Sequence, residues 1–182
     1  MRYPHPHRSQ LTLAVLAMGV VVLSSNILVQ YAINDWLTWG AITYPFAFLV
    51  TELVNRAFGP AQARRVAWVG FAVAVAASAI LAPARIAAAS GLAFLLSQML
   101  DIAVFDRLRQ SRWWRAPLIA TVLATVLDTG VFWGVGFAGE DLPWVTWALG
   151  DLGVKLVMAV CLLLPFRLLI GTRATTNAAP SA

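Results

Sequence analysis

Six apolar stretches, at 11–29, 39–54, 66–81, 86–105, 116–137 and 144–170, take up most of this chain, with short charged connections between them. A bilayer crossing needs about 20 apolar residues, and in hydrocarbon a helix satisfies its whole backbone from within one segment. The pattern predicts an all-α, polytopic membrane bundle of six transmembrane helices. It divides the chain into a polar tail at 1–10, one membrane domain over 11–171 and a polar, disordered tail at 172–182. Composition agrees: hydrophobic residues make up 60% of the 182 and charged residues 12%, about half the charged share of a soluble domain. The first stretch follows Arg2 and Arg8 and resembles a secretion signal. Its -SSN- exit is a poor cleavage site and five more stretches follow, so it reads as a span.

Charge then orients the bundle. Arg2, Arg8, Arg56, Arg64, Arg65, Arg107, Arg109, Arg112, Arg115, Arg167 and Arg173 all fall on one side of the drawn spans, whereas Arg85 falls on the other and Lys155 lies within a span. Short loops rich in Lys and Arg stay inside, so both termini are expected in the cytoplasm. The net charge of +5 does not point to nucleic acid, because the basic residues lie between apolar runs rather than in one patch; the partner is the lipid bilayer. Cys161 is the single cysteine, so no internal disulfide can form, and His5 and His7 both sit in the first tail. Neither a metal site nor a cofactor is expected from such a set.

The informative residues are the polar ones inside the spans. An ionisable side chain in hydrocarbon costs about 2.5–3.5 kcal/mol and normally faces a bundle interior or a watery cavity. Asn26 and Gln30 stand one turn apart near the outer end of the first span, and Arg85 marks the outer rim of the fourth. Thr121, Thr125 and Asp128 form a stripe on the fifth, and Asp151 and Lys155 share a face of the sixth. Deeper toward the inner side are Glu52, late in the second span, and Ser97, Gln98 and Asp101, late in the fourth. Plain structural readings stand beside these. Asp151 with Lys155 can be a neutralised pair, Glu52 can pair with Arg56, Arg85 can snorkel, and Asn26 with Gln30 can bind helix to helix. Asp101 and Asp128 have no charged neighbour at helical spacing, so a structural reading suits them least. Carboxylates spread through the depth of a bundle suit a path for a polar solute exposed alternately to each side.

An enzyme is not expected. The DTG at Asp128–Gly130 lies in an apolar helical run and occurs once, ALGD at 148–151 departs from the GxGD of intramembrane aspartyl proteases, and no GxSxG or HExxH occurs.

The polar set resembles the YhhQ-type queuosine precursor transporters, a group also classed as vitamin uptake transporter-like. The resemblance rests on SSNILVQ, TWGAITYPFAFLVTELVNRAFGPAQARR, ARIAAAS, SQMLDIAVFDRLRQSRWW, the Asp-Thr pair of VLDTGVF and the D-x-x-x-K of Asp151 and Lys155. It implies a six-helix protein of the bacterial inner membrane, distantly similar to the substrate-binding components of energy-coupling-factor importers. The implied cargo is a 7-deazapurine: 7-cyano- or 7-aminomethyl-7-deazaguanine, salvaged for queuosine in tRNA. Such a solute presents an N1–H and a 2-amino group on one edge, which a carboxylate can grip with both oxygens. Asp101 or Asp128 is expected to do so, with Gln98 or Asn26 reading the 6-oxo group and Tyr44, Phe46 or Trp133 stacking on the ring. Asp151 with Lys155 would gate, and Glu52 and Arg85 would lie near the two mouths. A secondary transporter is the first expectation. The alternatives are a capture subunit needing a separate ATP-driven partner and a structural membrane protein; a homo-oligomer is left open.

Overall fold

The apolar stretches become helices, and two prolines decide where they break. The computed structural model describes residues 3–28, 31–34, 36–81 and 83–176, without the side chains at 26, 32, 79, 81 and 172–176. Helix α1 (Arg8–Leu28) is the first stretch. The second is divided into α2 (Trp39–Thr43) and α3 (Phe46–Phe58), with a turn at Tyr44–Pro45. Pro45 has no N–H to give the carbonyl of Ala41, and its ring crowds that carbonyl, so the helix turns there. A tight corner follows. Gly59, at φ +86°, sends the chain into α4 (Pro60–Leu81), with a proline in the first helical position where its missing N–H costs nothing. Helices α5 (Ala84–Leu108) and α6 (Arg115–Phe137) are the fourth and fifth stretches. The sixth is α7 (Trp144–Cys161) followed by α8 (Leu163–Thr176), which meet at Leu162, where Pro165 leaves the Cys161 carbonyl without its helical donor.

Among the described residues, four stretches are long and apolar enough to cross a membrane: Arg8–Ser25, Ala84–Leu108, Arg115–Phe137 and Trp144–Gly171. The tail expected to be disordered from 172 is helical to Thr176, and 177–182 lie outside the described residues. Between α1 and α2 the sequence suggested only a loop. The structure places there a short antiparallel pair, β1 (Ala32–Asn34) with β2 (Leu37–Thr38), its turn held by the Trp36 N–H donating to Asn34 Oδ1 at 2.9 Å.

Leu16, Val20, Ile80, Leu149 and Leu164 point outward and are exposed, as a lipid-facing surface requires. Inside, one apolar cluster joins α1, α3, α4 and α5 through Met18, Val22, Val66, Phe94 and Ile102. A second joins α3, α5, α6 and α8 through Leu49, Phe105, Ala120 and Phe166. Helices α5 and α6 run antiparallel, with buried Ala89, Ala93, Ala116, Ala120 and Ala124 along them. Small side chains let two backbones approach closely in a membrane. Close packing also forces the polar residues on those faces to find partners across the interface or go without.

Candidate functional site

A cavity of about 670 Å³ opens at the end of the bundle where the β1–β2 pair lies, a size that suits a small organic solute. Its walls are mainly apolar and aromatic, with Trp36, Phe132, Trp133, Phe137 and Trp147 among them, and Asp128, Asp151, Lys155 and Tyr44 bring charge and polarity to it. Helix α7 touches the hairpin turn at Gly150. A Cβ there would come within 2.9 Å of the Trp36 carbonyl oxygen, so only glycine lets α7 and the turn close this wall.

Lys155 is buried between two acids. Its Nζ lies 2.9 Å from Asp128 Oδ2 and 2.6 Å from Asp151 Oδ2. Asp151 comes from the preceding turn of the same helix, and Asp128 is brought across by the packing of α6 against α7. Asp128 Oδ1 accepts from the Tyr44 hydroxyl at 2.7 Å and the Ser97 hydroxyl at 3.2 Å. Asp151 Oδ2 also accepts from Thr129 at 3.2 Å; among the described residues its Oδ1 accepts no hydrogen bond. The ammonium lies 5.0 Å from the centre of the Tyr44 ring, a distance at which a ring face attracts a cation. With all three groups ionised the cluster carries one net negative charge, and it meets a largely apolar cavity with one carboxylate oxygen unused.

A second polar cluster lies deeper between α3, α5 and α6. Thr121 donates to Glu52 Oε1 at 2.8 Å, and Thr51 donates to Gln98 Oε1 at 2.9 Å. Asp101 is fully buried, and among the described residues neither of its oxygens has a hydrogen-bond partner, nor do buried Gln98 Nε2 and Thr125 Oγ1. Beyond it, Asn55 donates to the Ile102 carbonyl at 3.0 Å. Buried Arg109 donates to the carbonyl and side-chain oxygens of Asn55 and to Asp106.

The residues singled out in the sequence therefore separate into groups. Tyr44, Asp128, Asp151, Lys155 and Trp133 meet at the cavity. Glu52, Gln98 and Asp101 belong to the deeper cluster, and none of them lines the cavity. Phe46, one residue past the Pro45 turn, is 38% exposed and also outside the lining. Arg85 stands at the cavity end of the bundle with its guanidinium on Glu140 at 2.6 Å and on the Val135 and Ala138 carbonyls. The Asn26 side chain and Gln30 lie outside the described residues. Arg56 is not paired with Glu52: it donates to the Arg109 carbonyl at 2.9 Å. Thr51, Asn55 and Arg109 had not been singled out, whereas Thr129 belongs to the Asp-Thr pair. Thr129 carries a signal, being next to Asp128 and polar in an apolar run. Asn55 sits one turn after Glu52, whereas Arg109 looks in sequence like any other loop arginine.

The family described as "Putative vitamin uptake transporter" matches residues 38–170. The chain is 37% identical over 177 residues to a queuosine precursor transporter of Escherichia coli strain K12, covering 80% of this chain and 79% of that one. It is 34% identical over 163 residues to a probable queuosine precursor transporter of Haemophilus influenzae, covering 74% and 69%. A probable queuosine precursor transporter of Bacillus subtilis strain 168 is 28% identical over 130 residues, covering 56% and 57%. No solved structure matches the chain.

Proposed function

Because the chain belongs to the family of vitamin uptake transporters, we propose that it imports queuosine precursors, 7-cyano- or 7-aminomethyl-7-deazaguanine, across the bacterial inner membrane. The relatives' names supply the class of solute. The observation that carries the reading is the cavity itself: flat aromatic walls over a floor with one uncommitted carboxylate oxygen. Trp133 and Trp147 offer faces on which a fused ring can stack. Asp151 is the carboxylate that grips the N1–H and 2-amino edge, taking the first on Oδ1 and, as Thr129 and Trp133 let go, the second on Oδ2, which keeps Lys155. Asp128 and Lys155 hold it in place and balance it. In a dry pocket such a two-pronged bond discriminates strongly, because an analogue lacking either N–H leaves a buried acceptor unpaired.

The rest of the reading follows from charge. Six crossings with both termini in the cytoplasm put the arginine-rich loops inside and the cavity mouth, with Arg85 and Glu140, outside. The cavity is then the outward-facing state, and import requires the deeper polar residues to open toward the cytoplasm in a second state.

The test is queuosine in the tRNA of a host lacking both its own transporter and precursor synthesis. Expressing this chain and supplying either deazaguanine at low concentration is expected to restore queuosine. Asp151→Asn, which keeps shape but loses the second acceptor, is expected to abolish restoration at low concentration and regain part of it at high concentration. Good membrane expression without queuosine at any concentration would overturn the reading.

A further inference from the structure

The deeper cluster has no role in gripping the solute as just described, and it is built differently from the cavity floor. We infer that Asp101 and Glu52 together hold one exchangeable proton, and that this proton is the ion whose gradient drives the transport proposed above. The inference rests on that reading for its cargo and on different residues for its chemistry.

The argument begins with what surrounds Asp101. Helix α5 packs against α3, α4 and α6. From α3 it meets the turn that carries Glu52: Thr51 donates to Gln98 and Asn55 to the Ile102 carbonyl, so buried Glu52 and Asp101 lie between two hydrogen bonds that tie the helices together, and Arg56 of the same helix is exposed. Helix α4 brings Arg64 and Arg65, which are exposed in its first turns. Helix α6 brings Arg115, exposed at its start, and Asp128, which is committed to Lys155. Along α5 itself the next cation is Arg107, exposed near its end, and Arg109 just beyond the helix is held by Asn55 and Asp106. Among the described residues no cation lies beside these two buried carboxyls, so burial favours their protonated forms, and the first proton to leave is shared between them and can exchange.

The ligand's size is set by the packing. The cavity reaches Asp128 and is lined by neither Glu52 nor Asp101, both of them buried, so the cluster stands apart from the solute's cavity. A sodium ion needs about six oxygens at roughly 2.4 Å or its retained waters, by analogy with other hard cations; a proton needs no cavity. A route to it exists on both sides. Thr125, buried and unpartnered, lies on α6 between Asp128 at the cavity floor and Thr121, the donor to Glu52. On the far side Asn55 follows Glu52 by one turn and leads to Arg109 at the arginine-rich end. A proton taken up from the cavity side and released at the other end follows the path the solute takes.

The experiment uses the full chain in proteoliposomes with radiolabelled 7-aminomethyl-7-deazaguanine. Two quantities are read: solute exchange with no ion gradient, and accumulation driven by an imposed pH gradient with the membrane potential clamped. The wild type is expected to exchange, and to accumulate up to about tenfold per pH unit at one proton per solute. Asp101→Asn, and separately Glu52→Gln, are expected to keep exchange while the accumulation ratio falls to one. A measurement without any variant stands beside these: solute entry should carry protons in, seen as acidification by an internal pH dye. Accumulation that follows a sodium gradient, accumulation by Asp101→Asn equal to wild type, or exchange without accumulation under any gradient would each overturn the proton inference and leave the import reading intact. No exchange by well-folded wild type would overturn both.

Discussion

Two groups of buried acids occupy one bundle, and they solve the same problem in opposite ways. At the cavity floor, Asp128 and Asp151 share one buried lysine, and Tyr44, Ser97 and Thr129 complete the hydrogen bonding. One turn beyond Ser97 along α5, Asp101 has among the described residues neither an ion pair nor a hydrogen bond, and Glu52 has a threonine. The floor can stay charged because its charge is balanced within hydrogen-bonding distance, so it can present a carboxylate to a polar solute in a dry pocket. The deeper pair can be neutralised only by taking up protons. One sequence feature, an acid inside an apolar helix, thus yields two kinds of site, and the difference lies in which neighbouring helix supplies a partner.

Removing the partner is the strongest way to break this contrast. Lys155→Met keeps the volume and takes the cation away, leaving two carboxylates buried side by side. Breaking a buried pair by deleting one member costs about 3–5 kcal/mol. The expected result is a marked fall in the unfolding midpoint in detergent, together with loss of uptake. Adding Asp128→Asn and Asp151→Asn should restore the midpoint and not the uptake. If Lys155→Met and Asp151→Asn both left uptake intact, the floor would be a structural pair and nothing more.

A smaller effect is expected at the far end of the bundle. Arg109 reaches the Asn55 carbonyl, the Asn55 side chain and Asp106 with one planar fork. Arg109→Lys keeps the charge and loses the fork, so at least one buried acceptor on Asn55 goes unpaired, at about 1–3 kcal/mol. Thermal unfolding should report this with little change in solute affinity, since the cavity is at the other end of the bundle. An affinity change as large as the stability change would mean that the two ends are coupled.

The sequence made much of the fold legible and little of this contrast. Apolar runs and proline positions give the helices and their breaks, because membrane insertion and the missing N–H of Pro45 and Pro165 are local effects. The family was legible too, from motifs such as SQMLDIAVFDRLRQSRWW. The sorting of the acids was not. Asp151 with Lys155 shows at four-residue spacing, but Asp128 reaches the same lysine from 27 positions away and Thr121 reaches Glu52 from 69. Helical spacing left Asp101 and Asp128 equally alone, and only the pairing of α6 with α7 separates them. Arg109 shows the same limit: it follows the drawn span, and only the packing of α3 against α5 buries it on Asn55.

Asp101→Asn then sharpens the comparison through stability instead of transport. If Asp101 is already protonated, an amide in place of the acid changes shape little and removes no charge. The midpoint is expected to move by less than about 1 kcal/mol in either direction, against several for Lys155→Met. A large loss would mean that Asp101 is ionised and held by an ion or ordered water, and the two clusters would then be alike.

The smallest effect belongs to the ion pair that is not buried. Arg85 and Glu140 meet at 2.6 Å with side chains 46% and 49% exposed, so water and salt screen them. Glu140→Gln leaves an acceptor in place, and Arg85 keeps the Val135 and Ala138 carbonyls at the end of α6. The cost should be about 0.5 kcal/mol or less, and it should vanish in high salt. Arg85→Gln should cost more, about 1 kcal/mol, because those terminal carbonyls then lose donors that the helix itself cannot supply. If Glu140→Gln were instead as damaging as Lys155→Met, burial would not be what separates a costly pair from a cheap one in this bundle. The contrast between floor and deeper cluster, which rests on burial without a partner, would fail with it.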